Sequence, residues 1–253
     1  MSGIDFTTKS LPISITDLTG GLNSTASALD IKDNEASDLA NIDFDIFGAF
    51  KKRNGYSRLN TSAFNSGATC TGLHYFIQKD LTELLVGTFG NKIAKMDGLD
   101  GTWDDITGGL TITAGDDNLF SFTTFNELVL ATNGVDAPIK WTGSGNAAAA
   151  DVPTGLTKAK FTADWNNYAF YANVTVSAAV HASRIYWSNL KDATTWTATD
   201  FIDVSLDDGE QITGIKPLGD RFIIFKNQSI HTMLFTGDSD IPFVLIKSPS
   251  DVG

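Results

Sequence analysis

The chain of 253 residues is long enough for one large all-β domain or two ordinary ones, and its 42% apolar content with 23 glycines and 17 phenylalanines is that of a turn-rich globular protein. A formal charge of -12 argues against general affinity for nucleic acid, because phosphate binding needs a basic face, although an acidic wall lets DNA pass without sticking. The single cysteine, Cys70, rules out an intrachain disulfide, no cysteine or histidine cluster has metal-ligand spacing, and no run approaches the roughly 20 apolar residues that cross a bilayer or the basic-then-apolar start of a secretory signal, so a soluble chain without membrane insertion is expected.

Residues 1–16 have no helical period and little charge. They read as an extended arm with a strand at Ile13–Ile15, or as a frayed terminus. Downstream, Asp33 or Asn34 is placed to cap a short helix through Leu39, with Glu35 at its positive end, before the chain turns extended at Ile42–Phe50. Gly20, Gly21 and Gly48 supply bends. Lys51, Lys52 and Arg53 form the only basic cluster, read either as a solvated strand end before an Asn54-Gly55 turn or as a contact for an acidic partner surface or a phosphate backbone.

From about residue 69 the chain repeats. The apolar runs Leu84–Val86, Leu128–Leu130, Tyr168–Tyr171 and Phe222–Phe225 each follow a polar turn, at Lys79-Asp80, Asn126-Glu127, Asn166-Asn167 and Gly219-Asp220. The residues that follow them, Thr88, Thr132, Ala172 and Lys226, lie 44, 40 and 54 residues apart, a blade-like period. An alternating run precedes each turn (Leu73–Ile77, Leu119–Phe125, Lys160–Ala163, Ile212–Lys216), and another follows each apolar strand (Ile93–Met96, Ile139–Trp141, Ile185–Trp187, Ile230–Leu234). A fourth run stands at Trp103–Ile106, Phe201–Val204 and Phe243–Ile246, whereas the second unit offers only GSGNAAAADVP, a weak strand at best.

Such a pattern fits radially packed sheets, with the most apolar strand covered on both faces and the outer strands alternating. A β-sandwich would also give many short strands without demanding the period. The expected fold is all-β: a β-propeller-like array of four-stranded antiparallel blades over residues 69–253, with an extended N-terminal arm and docking segment over residues 1–60 that carries one short helix. Four units make a small ring, so an incomplete one is expected.

Catalytic signatures are missing: there is no G-x-S-x-G, no phosphate-cradling G-x-x-x-x-G-K-[ST] and no H-E-x-x-H. His74, His181 and His231 fall in or beside strands without carboxylates or cysteines arranged around them, and nothing calls for a cofactor. Asp203, Asp207, Asp208 and Glu210 are the densest acidic group. A glycosidase pair or a bound cation is conceivable there, as is a cation at residues 97–100, but Asp207-Asp208-Gly209 has the composition of a tight turn. The tryptophans Trp103, Trp141, Trp165, Trp187 and Trp196 recur at related places in the units, which favours packing between blades over a sugar platform.

Two segments carry a resemblance. DLTGGLN followed by IKDNEASDLANIDFDIFGAFKKRNGY, and IYWSNLKDATTWTATDFIDV with DDGEQITGIKPLGDRFIIFKNQSI, together about 90 residues, resemble the tail nozzle and packaged-DNA stabilisation proteins of tailed bacteriophages. The resemblance implies a β-propeller in a homo-oligomeric ring around the DNA channel, partnered by other tail or connector proteins, located in the virion and assembled in the bacterial cytoplasm. It implies no catalytic residue. The expected docking residues are Asp17, Leu18, Gly20, Gly21, Leu22 and Asn23 on the arm and Lys51, Lys52 and Arg53, with the arm adding a strand to a neighbour's exposed edge. The alternatives are a glycan-binding or glycan-hydrolysing propeller of a receptor-binding tail part, and a cellular protein-interaction propeller.

Overall fold

The computed structural model describes residues 20–27, 29–44, 50–60, 62–98 and 100–247, which fall into two compact units divided after Arg58. The arm expected over residues 1–16 lies outside the described residues, as does Gly48.

In the first unit, strands β1 (Gly21–Leu22) and β2 (Glu35–Ala36) pair in parallel, and β3 (Ile42–Phe44) and β4 (Phe50–Lys52) pair antiparallel with Asp43 opposite Lys51. No helix forms at residues 33–39. Glu35, placed to favour a helix N-terminus, instead accepts from the Asn23 side chain at 2.9 Å and from the Lys32 amide at 3.3 Å, and these bonds hold the segment in a β-paired turn. The only helical elements among the described residues are two three-residue 3-10 turns, at Asn65–Gly67 and Leu206–Asp208. The chain runs through Asn54-Gly55 without a turn.

The second unit is all-β. Sheet one contains β5 (Cys70–Ile77), β6 (Glu83–Phe89), β7 (Lys92–Asp97) and β8 (Asp104–Asp105), and sheet two contains β9 (Ser121–Phe125), β10 (Leu128–Thr132), β11 (Ile139–Trp141) and β12 (Ala148–Ala149). Sheet three follows with β13 (Leu156–Trp165), β14 (Tyr168–Val176), β15 (Ala179–Trp187) and β16 (Phe201–Asp203). Sheet four has β17 (Ile212–Leu218), β18 (Arg221–Lys226), β19 (Ile230–Phe235) and β20 (Phe243–Lys247). Each is an antiparallel meander with strands in chain order. The weak fourth strand of sheet two is real but two residues long. The two-residue turn between Trp165 and Tyr168 places Asn166 and Asn167 both at positive φ (48° and 64°), the conformation that a two-residue hairpin needs and asparagine tolerates.

Successive sheets stack face to face, and the first strands of neighbouring sheets touch, β5 on β9, β9 on β13 and β13 on β17. This convergence makes the array propeller-like and sets it apart from a two-layer sandwich. Three apolar cores fill the joints. Phe76, Val86, Val129 and Trp141 lie between sheets one and two; Leu130, Tyr171 and Tyr186 between two and three; Phe170, Trp187, Phe222 and Met233 between three and four. Trp141, Trp165 and Trp187 are buried in these joints, while half-buried Trp103 and Trp196 pack on Phe89 and Tyr171.

Coverage of the apolar strands divides by position. In β10 and β14 consecutive side chains are buried on both faces, as the pattern predicts. In β18, Phe222 and Ile224 are buried but Phe225 is 41% exposed. Two-sided cover is therefore only partial on β18, whose buried residues pack in the core shared with sheet three.

Candidate functional site

An open cavity of about 490 Å³ lies beside the four first strands, lined by Leu73 and His74 of sheet one, Ser121 and Phe122 of sheet two with Phe120 just before it, Phe161 of sheet three, and Gly214, Ile215, Lys216 and Phe225 of sheet four. Glycine is required at residue 72 beside it, because a Cβ there would lie 2.6 Å from the Phe122 ring.

Polar groups near this axis are tied between sheets. The His74 Nε2 is 2.7 Å from the Thr124 hydroxyl, the Thr123 hydroxyl donates to Asp164 at 2.6 Å, and the Phe120 amide donates to the Thr71 carbonyl at 2.9 Å. Burial, reinforced by the charge of Lys216 and opposed by Asp164, pushes the His74 imidazole below its ordinary value, so it sits neutral against an aromatic wall. Lys160 adds a cation 5.7 Å from the Phe161 ring centre.

The acidic loop between β16 and β17 is a tight turn, as the composition of Asp207-Asp208-Gly209 suggests, and it is organised around a lysine. Lys226, on the central strand β18 with a side chain 0% exposed, sends its Nζ into the loop. It donates to the Val204 carbonyl at 2.9 Å, the Ser205 carbonyl at 3.1 Å and both Asp208 carboxylate oxygens at 2.6 Å. An ammonium thus stands where the loop's oxygens converge, the place a metal cation would need. Burial acts to raise the Asp208 carboxyl, but the hydrogen bonds from Lys226 and the Glu210 amide, with the charge of Lys226, hold it below the usual carboxylate range. Glu210 is occupied too, accepting from the Ser229 hydroxyl at 2.8 Å, and Asp203 is engaged by Arg184. No group of three or more histidine, cysteine, aspartate or glutamate side chains placed to hold a metal occurs among the described residues.

Of the docking residues, Asp17 and Leu18 lie outside the described residues. Gly20 sits where a Cβ would meet the Asn34 carbonyl oxygen at 2.6 Å, and Gly21 has φ 68°. Leu22 is exposed, and the Asn23 side chain accepts from the amides of Thr25 and Ala26 at 3.2 and 3.1 Å. These four therefore shape a fixed turn. Lys51, Lys52 and Arg53 are all exposed, and Lys52 and Arg53 line an open depression with Asn41, Asn54, Gly55 and Tyr56. Sequence reasoning missed Lys226, whose neighbours Val204, Ser205 and Asp208 lie about 20 residues back; a lone lysine closing an apolar run was the available signal.

No family model matches the chain, and no curated protein does. Among solved structures it is similar to the computationally designed Ika8 protein (TM-score 0.41, 14% identity, 61% of this chain and 42% of that one) and the designed Ika4 protein (0.43, 12%, 79% and 100%). It is also similar to BamB from Moraxella catarrhalis (0.40, 10%, 67% and 51%). The chain spans less than half the length of Ika8.

Proposed function

We propose that this chain is a structural component of a tailed-bacteriophage virion, in the tail or head–tail region, that acts by assembling around the DNA channel and not by catalysis. The observation that carries the reading is the resemblance of the two long segments to nozzle and packaged-DNA stabilisation proteins. One runs through the turn and hairpin of the first unit, and the other runs from β15 through β19.

Several features support it. The charge of -12 suits a wall that DNA passes without adhering. Carboxylates dense enough to suggest hydrolysis are committed to structure, Asp208 to Lys226 and Asp203 to Arg184, and the tryptophans are packed into or against the joints. Exposed Lys51, Lys52 and Arg53 leave a cationic strand end for an acidic neighbour.

The test is mass spectrometry and antibody labelling of purified phage particles from the source of this sequence. The expected result is the protein at the tail or neck; its consistent absence from intact particles overturns the reading. Deletion of residues 1–23 is expected to weaken incorporation while leaving the second unit folded.

A further inference from the structure

Asparagine followed by glycine is especially prone to lose its side-chain amide, because a glycine nitrogen, with no side chain beside it, can reach the asparagine Cγ. The chain holds two such pairs, Asn54-Gly55 and Asn133-Gly134, and the fold treats them oppositely. Asn133 is 5% exposed, its Oδ1 accepts from the Val135 and Asp136 amides at 2.9 and 2.8 Å, and its Nδ2 donates to the Asp136 carboxylate at 2.8 Å. The Gly134 amide, which would have to attack, donates to the Ala159 carbonyl at 2.8 Å. By contrast, Asn54 and Gly55 are both exposed, lie outside any strand or turn, and make no hydrogen bond among the described residues. The last bond holding this stretch runs from the Arg53 amide to the Asn41 carbonyl at 2.8 Å, one residue earlier. Nothing stands within 4 Å of a Cβ built at Gly55, so the backbone has room to turn onto the Asn54 side chain. Lys52 and Arg53 line the same depression, and cations beside a backbone N–H favour its deprotonated form.

We propose that Asn54 is a self-modification site: in the folded protein it converts spontaneously to aspartate and isoaspartate, whereas the fold protects Asn133. The Gly55 nitrogen gives its proton to solvent and attacks the Asn54 Cγ. A bond forms between them, the bond from Cγ to Nδ2 breaks, and the amide leaves as ammonia with a proton taken from solvent. Water then opens the cyclic imide at either carbonyl, giving aspartate or isoaspartate. The sum consumes one water, releases one ammonia and needs no oxidant, reductant or metal. The new carboxylate stands beside Lys51, Lys52 and Arg53, the only basic cluster in the chain, and offsets one of its three charges. Where that cluster offers a cationic strand end to an acidic neighbour, conversion weakens the contact. This last step rests on the virion reading above; the conversion itself does not.

The experiment is incubation of the full chain in heavy-oxygen water at mildly alkaline pH, followed by peptide mass spectrometry, with a synthetic peptide of residues 50–58 alongside. Residue 54 is expected to exchange its amide for labelled oxygen and to split into aspartate and isoaspartate peaks, about ten-fold or more faster than residue 133, and the two rates are expected to converge in guanidinium-unfolded chain. Gly55→Val, whose branched side chain crowds the attacking nitrogen, is expected to slow residue 54 about ten-fold or more. An Asn54 that stays intact in the folded chain while the peptide converts, that converts no faster than Asn133, or that ignores Gly55→Val overturns the proposal. For the consequence, phage particles grown with Asn54→Asp in competition with wild type are expected to take up the variant about two- to five-fold less, and equal uptake overturns the weakened contact. Absence of both forms from particles defeats the virion reading and the weakened contact with it, while the conversion stands or falls on the mass spectra alone.

Discussion

Arg184 and Asp203 lie opposite each other across β15 and β16 and pair at two points, Nε and Nη2 each 2.7 Å from a carboxylate oxygen, while the guanidinium carbon stands 3.7 Å from the centre of the Phe201 ring. Both side chains are less than one-fifth exposed, so the pair is shielded and pins the short outer strand of sheet three to its neighbour. Lysine can supply the charge but neither the fork nor the planar stacking. Arg184→Lys is therefore expected to lower stability by about 1–2 kcal/mol in urea denaturation, with Arg184→Met at least as damaging.

Lys226 and Asp208 predict a pH effect. Because the Asp208 carboxyl is held low in the folded protein, the stability it lends is complete above the ordinary carboxylate range, near pH 4, and is lost as the pH falls through the lower folded value. Asp208→Asn is expected to flatten the melting temperature across that window. Lys226→Met, which strips two carbonyls and a carboxylate of their shared donor, is expected to cost about 2–4 kcal/mol, the lower part of the scale for broken buried pairs because Asp208 is 28% exposed.

His74 gives the second titration. Burial and Lys216 depress its proton affinity in the fold, so the neutral ring contributes stability in full above about pH 6.5, and that contribution drains away as the pH drops towards the depressed value. His74→Gln, able to keep a bond to Thr124, is expected to reduce the slope of melting temperature against pH between pH 7 and pH 5.

Tyr171 is fully buried, its ring stacked on Trp196 with centres 4.6 Å apart, and its hydroxyl finds no hydrogen-bond partner among the described residues. Removing that oxygen removes a desolvated polar group while keeping the stack. Tyr171→Phe is expected to leave stability unchanged or raise it by up to about 1 kcal/mol in chemical denaturation.

Gly72 is the tight spot on β5. Gly72→Ala drives a methyl group to within 2.6 Å of the Phe122 ring and 2.8 Å of the Phe120 Cβ, and is expected to cost about 1–3 kcal/mol, read as a fall in the denaturation midpoint.

The repeat was legible because strand period and turn chemistry are local. Asn166-Asn167 and Gly219-Asp220 announce hairpins, and the apolar runs between them announce central strands. The docking segment was less legible for a related reason: Asp33, Asn34 and Glu35 carry the residue types of a helix start, and the contact that overrides them comes from Asn23, twelve residues before Glu35. The axial cavity and the Lys226 lock were hidden because they depend on which strands converge. Periodicity states that an apolar residue is covered, but not by which sheet, and so it cannot separate Phe222, buried under sheet three, from Phe225 on the same strand.

Each of the four-stranded sheets is a meander of consecutive strands, with no strand borrowed from another part of the chain among the described residues. A nascent polypeptide can thus complete one sheet as it leaves the ribosome and lay the next upon it, each step closing only short loops. The last surface to form is the open side of the newest sheet, and a growing chain carries that sticky front forward until something arrives to shield it.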